Sequence, residues 1–398
     1  ISFDDATKRA LEHSGFLQST ELSVKAFTQE HSYAQSFNNP VFSFQADNWL
    51  GSGDFQNFKS AELTYGLSQT FELGGKRAKR ATMAKLNLDI ALLEKEDARL
   101  DVIKNVCSAF AQAVYFQELL KSASEQKKLA ENLYKEVELR VSRAREPLIQ
   151  KNKASIALFA ANFDYEKTLR NLNEAKLALA NLWSEHSQDF ILEYQQFFQI
   201  GKPLRETQME EMLPNNPHLK VGLANAQLAS AQFELEKSMT IIDFTVNFGL
   251  KHHLDKNNFG FIGGLSFPLP FFSNKGSYEK KRFEMIKAEV DAKNSRLLLT
   301  ISLHEWLKNI ENAYSLAESL RLSIIPLATE SFNLSLSGYR AGKTPYYEVL
   351  DSQRTLTQVK EQYLSALKDY HLANAEIERL IAKHSDNPKV REDGQHEK

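Results

Sequence analysis

The sequence is poor in several residue types, and each shortage excludes a class of protein. Its 398 residues include one cysteine, Cys107, which excludes an intramolecular disulfide and a cysteine-rich zinc site. Sixteen glycines and ten prolines are too few for a Gly/Pro-rich disordered chain. No apolar run approaches the ~20 residues that a membrane-spanning helix needs. With 49 basic and 51 acidic side chains, the net charge of −2 gives no reason to expect a nucleic-acid partner.

The N-terminus lacks the features of a signal peptide. It begins Ile1, Ser2, Phe3, Asp4, Asp5, which is neither basic nor followed by an apolar core. From this pattern we expect either a cytoplasmic protein or a mature, processed chain.

Long helices account for most of the sequence. Neither glycine nor proline occurs from Lys76 to Ser142, which predicts a helical rod of about 100 Å. The apolar residues of this stretch recur at spacings of three and four, which indicates a coiled-coil-like partner helix. They are Leu93, Leu100, Ile103, Cys107, Phe110 and Val114. On this seam we interpret Cys107 as a small buried apolar residue rather than a reactive thiol.

Two short regions, 40–71 and 241–268, break the helical pattern with apolar and polar residues in alternation. Each predicts a β-hairpin whose strands are close to the 9–11 residues of a tilted membrane-spanning strand, with aromatic residues near the ends. The residues predicted to face lipid are Phe42, Phe44, Leu63, Tyr65, Leu67, Phe244, Val246, Phe248, Phe259, Phe261, Leu265 and Phe267.

The order helix, hairpin, long helix, proline, helix occurs twice, which indicates an internal duplication. The first repeat, 1–185, contains the hairpin 40–71 and the predicted helices 76–142 and 147–183. A less regular segment, 186–215, separates it from the second repeat, 216–384. That repeat contains the hairpin 241–268 and the predicted helices 277–325 and 326–384. The polar tail, 385–398, is predicted to be disordered.

Two hairpins supply only four strands, which cannot close a barrel. Open strand edges are not tolerated in hydrocarbon, because their N–H and C=O groups would lack partners. If these strands enter lipid, several chains must therefore combine them into one barrel. The alternative is a water-soluble protein in which both hairpins pack on a helix bundle, but the helices are too polar to offer so broad an apolar surface.

Basic residues cluster directly after each hairpin. They are Lys76, Arg77, Lys79 and Arg80 after the first, and Lys275, Lys280, Lys281 and Arg282 after the second. Two interpretations remain open: solvated helix starts, or contacts with phosphate headgroups at the membrane surface.

Two motifs, within the duplicated layout of residues 1–384, resemble a known family. The segment LSQTFELGGKRAKR (67–80) and the segment GYRAGKTPYYEVLDSQRTL (338–356) are similar to those of the TolC family of outer-membrane efflux factors, in particular its CzcC-type members from heavy-metal export systems. The resemblance implies a mainly α fold with a small transmembrane β part. It also implies a homotrimer, in which three chains form a twelve-stranded barrel in outer-membrane lipid and a helical periplasmic tunnel, with 186–215 as an equatorial segment.

The same resemblance implies a function and a set of partners. The protein would be a passive exit duct of the bacterial outer membrane, would need no cofactor, and would work with a periplasmic membrane-fusion adaptor and an inner-membrane RND-type pump. Heavy-metal cations are the expected cargo. A general drug or type I secretion duct of the same family, and a soluble coiled-coil scaffold, are the alternatives.

The segment from Gly338 to Thr344 superficially resembles a phosphate-binding loop. It is one residue short of that motif, and Pro345 would block the helix that should hold the phosphate, so we reject ATP binding. These residues instead predict a turn between antiparallel helices, with Gly342 supplying an unusual backbone angle and Pro345 opening the next helix.

The resemblance assigns roles to the helix-connecting turns at 143–147 and 339–345, here called the tip turns. Glu348 and Asp351 would line a periplasmic gate as rings of carboxylates, which favour cations, although an ordinary solvated helix start remains an alternative. Ala144 stands where the family pattern has glycine, and Ile149 or Gln150 where it has an acid. Arg143 and Arg145 would then be available to pair with the gate acids. The expected adaptor-docking residues are Ala144, Pro147, Tyr339, Gly342, Lys343 and Pro345.

No residue set points to catalysis or to a metal centre. His252 and His253 are adjacent in a predicted strand, so their side chains point to opposite faces and cannot easily chelate one ion. Five methionines offer no soft-ligand relay for copper. No catalytic triad, H-E-x-x-H motif or carboxylate pair stands out, so we expect a protein that is not an enzyme, and we assign no metal ligand.

Overall fold

The computed structural model describes residues 1–58, 60–269 and 275–384. Its first half contains the helices α1 (Phe3–His13), α2 (Gly15–Ala34), α3 (Lys76–Ser142) and α4 (Leu148–Asn181), with strands β1 (Val41–Asp47) and β2 (Glu62–Phe71) between α2 and α3. A connecting segment holds the short helix α5 (Glu206–Met212). The second half repeats the order with α6 (Pro217–Ser238), β3 (Phe244–His253), β4 (Asn258–Ser266), α7 (Lys275–Ser319), α8 (Ile325–Arg340) and α9 (Tyr346–Leu380). The predicted tail, 385–398, lies outside the described residues.

The helix ends follow from local chemistry. At the start of α1 the Ser2 hydroxyl accepts a hydrogen bond from the Asp5 N–H, and the Asp5 carboxylate accepts one from the Ser2 N–H. This reciprocal pair satisfies N–H groups that have no partner within a helix. The helices α4 and α9 each begin directly after a proline, Pro147 and Pro345, whose fixed φ suits a helix start.

One predicted helix boundary, at Pro326, is wrong. The helix continues through this proline, because a π-helical turn at Leu320–Ile324 joins α7 to α8. Such a wider turn adjusts the backbone where a proline lacks an N–H and would clash with the preceding carbonyl. The turn predicted from Gly338 to Thr344 is present and separates α8 from α9.

The four strands form one antiparallel sheet in the order β1-β2-β3-β4. Each predicted hairpin is present, and the two hairpins are joined by pairing between β2 and β3, from Glu62 opposite His253 to Phe71 opposite Phe244. The strands β1 and β4 are consequently the edges of the described sheet.

The chain divides into two compact units, each built from both halves of the sequence. One comprises residues 21–94 and 218–295 and contains the sheet. The other comprises 1–20, 95–217 and the described part of 296–398. Its main apolar cluster includes Val106, Val114, Leu179 and Leu367. Within the described ranges, no helix combines the length and the apolar character needed to cross a bilayer.

Candidate functional site

The strand register gathers the apolar residues of all four strands on one face of the sheet. Residues directly opposite each other in antiparallel strands share a face. Phe42 lies opposite Leu67, which in turn lies opposite Phe248. Val246 lies opposite Leu265, so β4 contributes to the same face. Eleven of the twelve residues predicted to face lipid share this face, here called the apolar face; they are Phe42, Phe44, Leu63, Tyr65, Leu67, Phe244, Val246, Phe248, Phe259, Phe261 and Leu265. The twelfth, Phe267, lies one residue beyond the end of β4.

The apolar face is open at its centre and along both edges. Phe42 is 67% exposed, Phe248 is 68% exposed and Phe261 is 94% exposed. Burying a side chain of this size is worth about 1.5–3 kcal/mol, so a large contiguous face of this kind marks a surface that is covered in the working protein. The soluble-scaffold alternative requires that the helices cover this face, and the exposure of these rings disfavours it.

The opposite face of the sheet is polar. It carries Thr64, Ser68, Thr245 and Asn247, and its apolar exceptions are Val41 and Ile262. Thr70 and Thr245 lie opposite each other, with their hydroxyl oxygens 2.8 Å apart. A sheet with one apolar and one hydrophilic face has the alternation of a barrel strand between lipid and water.

The basic cluster after β2 is engaged by acidic partners rather than free. Lys76 is buried, with its Nζ 2.8 Å from an Asp243 carboxylate oxygen, and it donates a second bond of 2.7 Å to the Ile241 carbonyl. Arg80 forms a two-pronged pair with Glu72, in which Nη2 donates to Oε2 at 2.7 Å. These pairs hold the start of α3 against the strand ends.

Other basic residues in this region also contact groups of the same chain, although not all of these partners are acidic. Arg77 lies over the Phe37 ring at 3.7 Å, and Lys79 donates to the Glu234 carbonyl at 2.7 Å. After the second hairpin, Lys281 pairs with Glu284 at 2.7 Å. The partners of these cations therefore belong largely to the same chain, which favours a structural role over headgroup binding.

The two tip turns have the same backbone geometry. In the second, the Gly342 N–H donates to the Tyr339 carbonyl and the Lys343 N–H donates to the Gly338 carbonyl. In the first, Ala144 donates to Val141 and Arg145 donates to Arg140 in the same pattern. This pair of bonds is the Schellman motif, which requires a left-handed residue after the helix. Gly342 has φ +72° and Ala144 has φ +52°, so alanine adopts here the angle that glycine adopts in the second turn.

The end of α3 contacts the second tip turn through Arg140. Its guanidinium lies over the Tyr339 ring at 4.2 Å and donates to the Arg340 carbonyl at 3.2 Å. Glu136 accepts from Arg140 at 3.2 Å and lies 3.6 Å from Arg340. Sequence reasoning missed Arg140 and Glu136, although their spacing of four residues on a helix is the available signal.

The buried side of the tip is aromatic. Tyr339 and Tyr346 are fully buried, with ring centroids 5.6 Å apart, and they pack in a cluster with Leu133, Val137 and Val349. Burial first, and the nearby Glu146 carboxylate second, raise the pKa of Tyr339 well above its usual range. Burial likewise raises the pKa of Tyr346 to about 12. Both hydroxyls therefore stay protonated at neutral pH.

The four predicted gate residues all lie on the surface of the tip. Glu348 and Asp351 occupy the first turns of α9, and Arg143 and Arg145 lie in the first tip turn. Within the part of the chain that the structure describes, none of these four side chains forms an ion pair with another. Any bridge between the arginines and the acids would therefore have to form between chains or in another state of the tip.

Among the predicted docking residues, Ala144, Pro147, Gly342, Lys343 and Pro345 are exposed. Tyr339 is buried, so its predicted direct contact with an adaptor is not available in this conformation. Its ring instead supports the turn from beneath.

The adjacent histidines separate as the strand alternation requires. His252 stacks on Phe259 with ring centroids 4.3 Å apart, and His253 lies 3.1 Å from Glu62. Cys107 is partly buried on α3, and burial raises the pKa of its thiol to about 12. The thiol is therefore protonated and a poor nucleophile at neutral pH.

Comparison with known proteins supports the resemblance to outer-membrane efflux factors that the sequence motifs indicated. The family model described as outer membrane efflux protein matches residues 6–185 and 209–383. The cobalt-zinc-cadmium resistance protein CzcC of Cupriavidus metallidurans is 26% identical over 78% of this chain and 75% of its own length. The nickel-cobalt-cadmium resistance protein NccC of Alcaligenes xylosoxydans xylosoxydans is 24% identical, and the match spans 63% of this chain and 56% of that relative.

Solved structures show the same fold at low sequence identity. The outer membrane protein VceC of Vibrio cholerae is 14% identical, with a TM-score of 0.81 and 95% of both chains covered. The CmeC outer membrane channel of Campylobacter jejuni is 13% identical, with a TM-score of 0.81 and coverage of 99% of this chain and 89% of that one. Since the family model covers most of the sequence, the protein belongs to the outer membrane efflux protein family, whose members are channels of the outer membrane.

Proposed function

We propose that the protein is the passive exit duct of a tripartite efflux system, with heavy-metal cations as its cargo. The observation that carries this proposal is the apolar face of the sheet together with β1 and β4, the two edge strands among the residues that the structure describes. A lipid-facing sheet must satisfy its edge N–H and C=O groups. Three copies would do so by pairing β4 of one chain with β1 of the next, which closes a barrel of twelve strands in a homotrimer.

The tip turns support a role in docking. Each presents a short polar surface on a rigid Schellman turn, with Arg143, Arg145 and Lys343 exposed to solvent. We propose that these turns bind a periplasmic membrane-fusion adaptor, which couples the duct to an inner-membrane RND-type pump. The pump supplies the energy, so the duct needs only to open.

A ring of acids at the tip would select for cations. In a homotrimer, the exposed Glu348 and Asp351 would each occur three times around the threefold axis, and rings of carboxylates favour cation passage. The test is single-channel recording of Asp351→Lys and Glu348→Lys in planar bilayers, with Glu30→Lys on α2 as a control. We expect lower cation selectivity in the first two variants only. Unchanged selectivity and conductance in both would exclude the acidic gate.

The cargo is inferred from the names of the relatives, which are resistance proteins for cobalt, zinc, cadmium and nickel. The direct experiment is growth of a host that lacks its own metal-efflux duct, supplied with this protein and a matching pump and adaptor. We expect restored growth in cobalt, zinc or cadmium salts. Restored resistance to organic drugs without any effect on metals would instead favour the general drug duct.

The oligomer can be tested separately from the cargo. Native mass spectrometry of the detergent-purified protein should give three chains per particle, and the same sample should form channels in planar bilayers. A stable monomer that needs no detergent would refute the duct and favour the scaffold.

A further inference from the structure

Two carboxylates and one imidazole converge beside the short helix α5. Glu206 and Glu210 are four residues apart and therefore lie on the same side of this helix. His304 of α7 faces them, with its Nε2 2.9 Å from Glu206 Oε1 and 2.9 Å from Glu210 Oε1. The three ligand atoms all lie within 4.8 Å of one another. Sequence reasoning did not find this group, because ninety-four residues separate His304 from Glu210.

The position of α5 against α7 is set by apolar contacts below the three polar groups. Met209 and Leu213 are buried in a cluster with Leu303, Leu307 and Ile310 of α7. Met209 immediately precedes Glu210, and Leu303 immediately precedes His304. The packing of these neighbours therefore fixes the backbone positions of Glu210 and His304.

Hydrogen bonds alone do not satisfy the two carboxylates well. A single imidazole N–H can donate to two carboxylates only by sharing one proton, and it leaves two negative charges close together. A divalent cation would neutralise both carboxylates at once. Zinc binds imidazole nitrogen and carboxylate oxygen at about 2.0–2.2 Å, which places ligand atoms of a tetrahedral site roughly 3.3 Å apart. Nε2 lies 2.9 Å from each carboxylate oxygen, and the three atoms lie within 4.8 Å of one another, so small side-chain rotations would bring them to that spacing.

We propose that Glu206, Glu210 and His304 bind one divalent transition-metal cation of the class that imidazole binds, with zinc as the representative ion. Imidazole suits these ions and not magnesium or calcium, which prefer sites made of oxygen alone. The three groups are partly exposed, so water completes the coordination and the ion exchanges with solvent. The bound cation ties the connecting segment to α7. This inference does not depend on which cargo passes through the duct.

The test is calorimetric titration of the full-length, tag-free protein in detergent with Zn²⁺, after removal of metal by a chelator. We expect one Zn²⁺ per chain. His304→Ala should weaken binding by at least about tenfold, since loss of even an outer-shell partner costs about 10–100-fold. Glu206→Gln and Glu210→Gln keep the side-chain size and should each weaken binding in the same direction.

A double variant at the adjacent histidines of β3, His252→Ala and His253→Ala, is the control and should bind Zn²⁺ as the wild type does. X-ray absorption at the zinc edge should show nitrogen and oxygen neighbours without sulfur, since Cys107 is not part of the site. An unchanged affinity in His304→Ala, or the absence of stoichiometric binding in the wild type, would overturn the proposal. Circular dichroism of each variant identifies any that fails to fold, and the glutamine variants then decide the outcome.

Discussion

Replacing Phe248 by arginine tests whether the apolar face contacts lipid. Phe248 lies in the middle of β3, one of the two inner strands, and is 68% exposed. Its neighbour Asn247 points to the polar face, where it lies opposite Ser68. The two residues therefore differ in the face they occupy but hardly at all in their distance along the strand. Phe248→Arg and Asn247→Arg form a matched pair that introduces the same charge on opposite sides of one sheet.

The expected cost is large on one side only. An arginine on the lipid face of a barrel near the bilayer midplane destabilises the protein by about 2–4 kcal/mol, and the cost falls toward about 0–1 near the interfaces. In the proposed homotrimer the substitution occurs three times, so the assembled barrel would lose roughly 6–12 kcal/mol if the three sites act independently. On the polar face, the guanidinium of Asn247→Arg remains in water and should cost little.

The measurement is guanidinium unfolding of both variants in phosphatidylcholine vesicles, followed by tryptophan fluorescence. We expect the unfolding midpoint of Phe248→Arg to fall well below that of the wild type, while that of Asn247→Arg stays close to it. In a water-soluble scaffold the result would reverse, because replacing an exposed phenylalanine by a charged residue is harmless or favourable in water. Equal midpoints for the two variants would therefore refute our assignment of the faces.

Three further predictions concern the helical parts and the strand ends. Lys76→Met leaves the Asp243 carboxylate without its buried partner and should lower the free energy of unfolding by about 3–5 kcal/mol. Chemical denaturation should show that adding Asp243→Leu recovers most of this loss. An equal loss in the double variant would contradict the pairing. Gly342→Ala places a side chain on a backbone with φ +72° and should lower the local stability of that turn by about 1–2 kcal/mol, which hydrogen exchange would detect as faster exchange. Ala144→Gly should change the local stability of the first tip turn by less than about 1 kcal/mol. Faster exchange in Ala144→Gly alone would contradict this. Burial lowers the pKa of His371 below 6.5, so the folded protein binds fewer protons than the unfolded chain and its stability falls as the pH drops below 6.5. His371→Gln should reduce this pH dependence of thermal unfolding, and an unchanged slope would show that other groups cause it.

The parts of the structure that follow local rules could be predicted from the sequence. The strands were visible because alternation is a property of neighbouring residues, and the residues assigned to one face do share it, from Phe42 to Leu265. Phe267 lies one residue beyond the end of β4, and its contact with lipid stays a prediction. The long helix α3 was visible because nothing in its sequence interrupts it.

The features that were missed depend on distant contacts or on small backbone adjustments. Proline usually ends a helix, but the π-helical turn before Pro326 accommodates the proline ring within the helix. Residue preferences do not predict that turn. The basic cluster could not be interpreted, because the partner of Lys76 is Asp243, far away in the sequence. The group around His304 was invisible for the same reason. At the first tip turn, by contrast, the sequence showed alanine in place of glycine, and the structure adds that the backbone angle is nevertheless kept.

The order of the strands has a consequence for biogenesis. Because β1 and β4 are the edges of the described sheet, a subunit that has not yet assembled exposes two edge strands with unpaired backbone groups. It also exposes the apolar face to water. Such a species invites fibril-like aggregation. If three chains close the barrel as proposed, a subunit whose β1 or β4 cannot pair would leave an open edge in every assembly that contains it.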